Sequence, residues 1–192
     1  MTPIPYARQS ISEEDIAAVV AALRSDWLTQ GPRIAEFEHG VATYCGARHA
    51  VAVSSGTAAL HLACLALGLG PGDLFWTSPN TFAATANCAR YCGAQVDFVD
   101  IDPRTGNLSA EALEEKLRRA RAAGCLPKVL AAVHFAGHPC DIPAIRRLTR
   151  EFGVRLIEDA SHALGAQVGP ERVGGGQHAD ATVFSFHAVT TA

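Results

Sequence analysis

Val154-Arg155-Leu156-Ile157 runs straight into Glu158-Asp159-Ala160-Ser161-His162. Three of the first four residues are Val, Leu or Ile, the composition of a short buried strand. A carboxylate then stands at the C-terminal end of that strand, where open α/β sheets gather their ligands. A second apolar run, Ala50-Val51-Ala52-Val53, ends in the same manner in Ser54-Ser55-Gly56-Thr57. Here the polar residues open a helix, and the first N–H groups of a helix lack internal partners and attract anions. Gly56 allows close approach, while Ser55 and Thr57 bring hydroxyl donors; a plain, well-capped helix would use the same residues. The two motifs together predict an enzyme that holds a phosphorylated cofactor.

Working outward, the pattern alternates. Ser12 to Asp15 resembles a capping box with Asp in place of the preferred Glu or Gln, and Ile16, Val19, Val20 and Leu23 follow at helical spacing. Residues 26–32 have no periodicity and read as a loop; Ile34, Phe37 and Val41 mark a second helix. Strands are expected at 50–53, 74–77, 95–99, 129–135, 154–157 and 182–186. Helices are expected at 57–67, 82–91, from Ser109 onward through Leu113 and Leu117, and at 142–152. That order predicts an α/β layer sandwich with much parallel pairing.

Composition narrows the function classes. The 192 residues and 20.2 kDa suffice for one hydrophobic core, and 48% apolar content argues against a disordered chain. A formal charge of -3 without a basic stripe offers nucleic acid no footprint. The run 50–69 is broken by Ser54 to Thr57 and by His61, so no membrane span is expected. The first ten residues lack the apolar stretch of a secretory signal, and six cysteines without tight spacing suit a reducing, cytoplasmic setting. His134, His138 and Cys140 lack a fourth ligand for zinc, so no metal is expected. No Gly-x-Ser-x-Gly nucleophile elbow occurs, and Gly68-Leu69-Gly70-Pro71-Gly72 follows a helix and reads as a turn.

Asp159 asks for a cation. A carboxylate beside an apolar strand must be solvated, hydrogen-bonded or paired, and a protonated ring nitrogen of a bound cofactor would serve. Capping of the next helix is the structural alternative. Phe82, at an expected helix start, could stack on a planar ring or pack in the core; His162 could orient a cofactor or complete a polar network.

Read in order, the segments 26–32, 55–57, Ser78-Pro79-Asn80-Thr81-Phe82, 158–162 and Phe184-Ser185-Phe186-His187 resemble the DegT/DnrJ/EryC1/StrS sugar aminotransferase family. These are pyridoxal-phosphate enzymes of fold type I, the aspartate-aminotransferase-like fold with a three-layer α/β/α large domain. The resemblance implies pyridoxal 5'-phosphate as cofactor, with Gly56, Thr57 and Ser185 on its phosphate. It implies Phe82 against the ring, Asp159 on the ring nitrogen and His162 near the ring hydroxyl, with Asp159 and His162 as the catalytic pair. Tyr6, Trp27, Thr29 and His187 would face the substrate, a UDP-linked 4-keto-6-deoxy sugar aminated at C4 with L-glutamate as donor and 2-oxoglutarate as product. It further implies a homodimer with sites at the subunit interface. Residues 1–35 would form an N-terminal helix and substrate-side loop, 36–192 most of the large domain, with the small C-terminal domain absent.

One departure stands out. The family carries its Schiff-base lysine shortly after the Ser-Phe-His element, at the register following Val189, where this sequence has Thr190. Its two lysines, Lys116 and Lys128, match no motif, and threonine forms no imine. Three readings stay open: a few residues including the lysine are omitted before Thr190-Thr191-Ala192, the chain is a fragment, or the lysine is lost.

Overall fold

The computed structural model describes residues 9–187. Five strands form a parallel sheet in the order β2-β1-β3-β4-β7: β1 (Leu74–Thr77), β2 (Gln95–Phe98), β3 (Val129–Val133), β4 (Arg155–Asp159) and β7 (Ala181–Val183). Helices α4 (Ala83–Tyr91), α5 (Ala110–Ala123) and α6 (Ile142–Phe152) supply the first three crossovers. Each begins where its residues dictate: Ser109 accepts the Ala112 N–H, and Asp141 accepts that of Ala144. The two-strand hairpin β5 (Gln167–Val168) and β6 (Glu171–Arg172) lies in the connection from β4 to β7. The chain steps from β1 outward to β2, then returns past β1 to β3. That reversal makes a switch point at the C-terminal strand ends.

The pleat sorts side chains to two faces. Trp76, Leu130, Ala132 and Leu156 pack with α5 and α6 in one cluster. Phe75, Val129, Ala131, Ile157 and Val183 pack with α4 and with α3 (Gly56–Ala66) in another. The architecture is therefore the expected three-layer α/β/α sandwich. At the N-terminal side, α1 (Glu13–Leu23) opens with a complete Ser12–Asp15 capping box, yet none of its residues is buried; α2 (Pro32–Cys45) buries only Ala42 and Cys45.

Three strand expectations are corrected. Residues 50–53 join no strand ladder: Val51 is 78% exposed and the Ala52 N–H is taken by Glu38 Oε1 at 2.8 Å. A strand needs a neighbour for its backbone groups, and an apolar cleft of about 630 Å³ lies between this segment and β7. β3 stops at Val133 rather than at 135, because the next residues turn into a 3-10 element at Phe135–Gly137. β7 covers 181–183 and not 182–186, since its partner β4 ends at Asp159, opposite Val183.

Candidate active site

Alternation along β4 sends Glu158 toward the α5/α6 face and Asp159 toward the α3/α4 face. Asp159 is 4% exposed. Its Oδ1 accepts from the Ser161 hydroxyl at 2.7 Å and the Ser161 N–H at 3.2 Å; its Oδ2 accepts from the Thr85 hydroxyl at 2.6 Å. Among the described residues no Lys, Arg or His forms an ion pair with it. A buried, hydroxyl-held carboxylate without a counter-charge is an incomplete arrangement on electrostatic grounds. It has room in its chemistry for one cation.

The α3 N-terminus reaches the same place. Ser55 caps the helix by accepting the Ala58 N–H at 3.1 Å, which leaves Gly56 and Thr57 as the residues whose N–H groups have no partner within the helix. A Cβ built on Gly56 would lie 3.4 Å from Ser185 Cβ, 3.7 Å from Ser185 Oγ and 3.8 Å from Ser161 Oγ. Three hydroxyl or amide sources thus converge from α3, from the turn after β4 and from the segment after β7. Helix dipole and donors suit an anion there, within one serine of the Asp159 carboxylate. Phe82, the residue before α4, is 77% exposed, so it offers a ring face rather than core packing.

A polar staple holds the surrounding loops. Asn80 Nδ2 donates to Gly106 O at 3.0 Å; Asn107, 3% exposed, accepts from Phe135 N–H at 2.9 Å and donates to His138 O at 2.9 Å. These bonds tie together the segments that follow β1, β2 and β3. Gly137, at φ +80°, brings that last loop against the turn after β4: a Cβ there would lie 2.8 Å from His162 O. On the opposite sheet face His134 Nδ1 accepts the Cys140 N–H at 3.1 Å, so its ring proton sits on Nε2, 3.4 Å from Glu158 Oε1. His134 and Cys140 are thereby committed to shaping this loop.

The structure thus brings the α3 start at Gly56 and Thr57 together with Ser185 and, through Ser161, Asp159; Phe82 stands exposed at the start of α4, three residues before Thr85, and His162 is exposed on the turn after β4. Trp27 and Thr29 are exposed in the α1–α2 loop, whose hydrogen bonds are local, from Ser25 to Ala22 O and Trp27 O. Among the described residues no hydrogen bond or ion pair joins that loop to the Asp159 cluster. His187 follows Ser185, its N–H donating to Ser185 Oγ at 3.3 Å. Tyr6, Val189 and Thr190 lie outside the described residues. Neither lysine approaches: Lys128 pairs with Asp73 at 2.8 Å before the N-terminal ends of β3 and β1, and Lys116 pairs with Asp97 at 2.6 Å on the α5 side over Trp76. Sequence reasoning missed Thr85, Ser161 and Asn107 as working residues. Ser161 lay inside the decisive motif, whereas Thr85 meets Asp159 across 74 positions and carried no local signal.

The model of the DegT/DnrJ/EryC1/StrS aminotransferase family matches residues 9–191. The UDP-4-amino-4,6-dideoxy-N-acetyl-beta-L-altrosamine transaminase of Campylobacter jejuni is 41% identical over 187 residues, covering 97% of this chain and 48% of that protein. Among solved structures, Helicobacter pylori PseC, an aminotransferase involved in the biosynthesis of pseudoaminic acid, superposes with a TM-score of 0.87 at 31% identity, covering 96% of this chain and 48% of the other. The PLP form of Spr1654 from Streptococcus pneumoniae gives 0.85 at 30%, covering 97% and 50%. The chain spans about half the length of the curated relatives it matches.

Proposed function

This chain belongs to the DegT/DnrJ/EryC1/StrS aminotransferase family, and from that premise we propose that it is the cofactor-binding part of a pyridoxal-phosphate-dependent sugar aminotransferase. The observation that carries the reading is the buried Asp159 carboxylate, which has no counter-charge among the described residues and lies one serine away from an anion cradle. A molecule with a cationic ring nitrogen at one end and a phosphate at the other fits both.

The residues divide the work. Gly56 and Thr57 N–H groups, with the Ser185 hydroxyl, hold the phosphate at the α3 start. Phe82 covers one face of the ring and excludes water from it. Asp159 holds a proton on the ring nitrogen, and His162 borders the ring hydroxyl. Bound pyridoxal phosphate supplies an electron sink for negative charge developing at the carbon that carries the amino group. The substrate proposed from the likeness to the altrosamine transaminase is a UDP-linked 4-keto-6-deoxy-N-acetylhexosamine, aminated at C4 at the expense of L-glutamate, in a route to pseudaminic acid. Trp27, Thr29, Tyr6 and His187 are its proposed contacts, and a cytoplasmic homodimer its proposed setting.

Thr190, at the register where the family has its lysine, favours a second reading: a homologue that binds the cofactor without turnover. Borohydride reduction of the full-length protein with pyridoxal phosphate, followed by peptide mass mapping, separates the two. A single adduct on a lysine other than Lys116 and Lys128 is the expected result. Retained cofactor with no adduct would establish the binding-only homologue, and absence of cofactor binding would overturn both.

A further inference from the structure

We propose that Thr85, backed by Thr81, is a positioning residue that fixes the Asp159 carboxylate against the nitrogen of the bound ring; this rests on the cofactor reading above. Thr85 is fully buried in the first turn of α4, and its hydroxyl reaches across to Asp159 Oδ2 at 2.6 Å. A threonine within a helix ordinarily returns its hydroxyl to a carbonyl of the preceding turn, as Thr149 of α6 does with Arg146 O at 3.0 Å. Thr85 forgoes that bond for a carboxylate 74 residues away.

The direction of the chain follows from its end. An ionised carboxylate has no proton to give, so the Thr85 proton lies on the Asp159 side. The Thr85 oxygen then accepts, and Thr81 Oγ1, 2.7 Å away and one helical turn earlier in sequence, must donate to it. Thr81, Thr85 and Asp159 form a one-way file of donors. Oδ1 has two donors from Ser161, but Oδ2 has Thr85 as its one protein donor among the described residues, and burial keeps solvent from replacing it. Without Thr85 the carboxylate plane would be held from one side alone, and its contact with the ring nitrogen would loosen. Phe82 lies between the two threonines in sequence, so one five-residue segment carries both the ring-covering aromatic and the file that sets Asp159.

The test uses the full-length protein and ring-15N-labelled pyridoxamine 5'-phosphate, a probe that binds without a lysine. For Thr85→Val the nitrogen resonance is expected to move toward that of neutral pyridine, with affinity falling about fivefold to tenfold, while Thr85→Ser keeps the wild-type resonance. Thr81→Val, at the half-buried end of the file, moves it in the same direction by less, and serves if Thr85→Val does not fold. An unchanged resonance in the folded valine variants would overturn the inference while leaving the cofactor reading intact. A resonance that is the same in wild type and Asp159→Asn, or a probe that does not bind wild type, would overturn the reading itself and the file with it.

Discussion

Asp159 and Gly56 make different demands on the side chain at their positions, and their variants should fail in different ways. Asp159→Ala removes the one negative charge facing the proposed ring nitrogen and leaves the phosphate cradle whole. Amino transfer by the full-length enzyme should fall by about 10²–10³-fold, the scale seen when one preorganised electrostatic partner is removed, while pyridoxamine phosphate still binds. Unchanged conversion during a spectral titration with glutamate would refute the role. Gly56→Ala works the other way. Its Cβ would meet Ser185 Cβ at 3.4 Å, an ordinary van der Waals contact, so folding should be little disturbed. The methyl nevertheless occupies the cradle, and cofactor affinity should drop more than about tenfold, roughly 1.4 kcal/mol, with an unchanged unfolding midpoint. A normal dissociation constant would place the phosphate elsewhere.

At the level of elements, two polar nodes hold the sheet and its loops. Asn107 satisfies one N–H and one C=O of the β3–α6 loop. Asn107→Leu leaves both unpaired in a buried place and should cost about 2 kcal/mol in chemical denaturation; a cost near zero would show that the loops need no such tie. Asp180, just before β7, accepts from Arg146 at 2.8 Å, from Arg155 at 3.2 Å and from the Leu156 N–H at 2.8 Å. Burial pushes its carboxyl up, but the Arg146 and Leu156 donors outweigh that and hold it below the usual carboxylate value. A depressed folded-state pKa contributes stability that is fully present above the unfolded value, near 3.9, and is lost as pH falls through the folded value. Asp180→Asn should therefore destabilise by roughly 2 kcal/mol at pH 7, and the gap to wild type should narrow below about pH 4. Urea melts at pH 7 and pH 3 with an equal gap would remove Asp180 from the acid response.

Across the whole molecule, apolar surface is unevenly covered. Ile16, Val19, Val20 and Leu23 of α1 are 36–66% exposed, with Trp27 and Leu28 following at 60% and 69%. A contiguous face of this kind promotes association. The 192-residue chain alone should form soluble aggregates in light scattering, and Val19→Glu with Leu23→Glu should reduce them; a monodisperse, sharply melting monomer of the unmodified chain would contradict this. Much of the fold was legible in the residues. Helix starts near Ser12, Gly56, Ser109 and Ile142, the strand–helix alternation and the placing of Asp159 at a strand end all rest on interactions within a few residues. Apolar period and capping donors suffice to specify those. Which edges pair was a different matter. Residues 50–53 have a strand's composition but no ladder, because backbone pairing depends on a neighbour that no local pattern names. The same holds for the site: the Asp159 motif declared itself, whereas Thr85 and Asn107 acquired their roles only when parallel strands set their loops side by side. Sequence determined what each segment could become and where a carboxylate would stand; tertiary structure decided what that carboxylate touches, since contacts between residues 74 apart exist only after the sheet has ordered its strands.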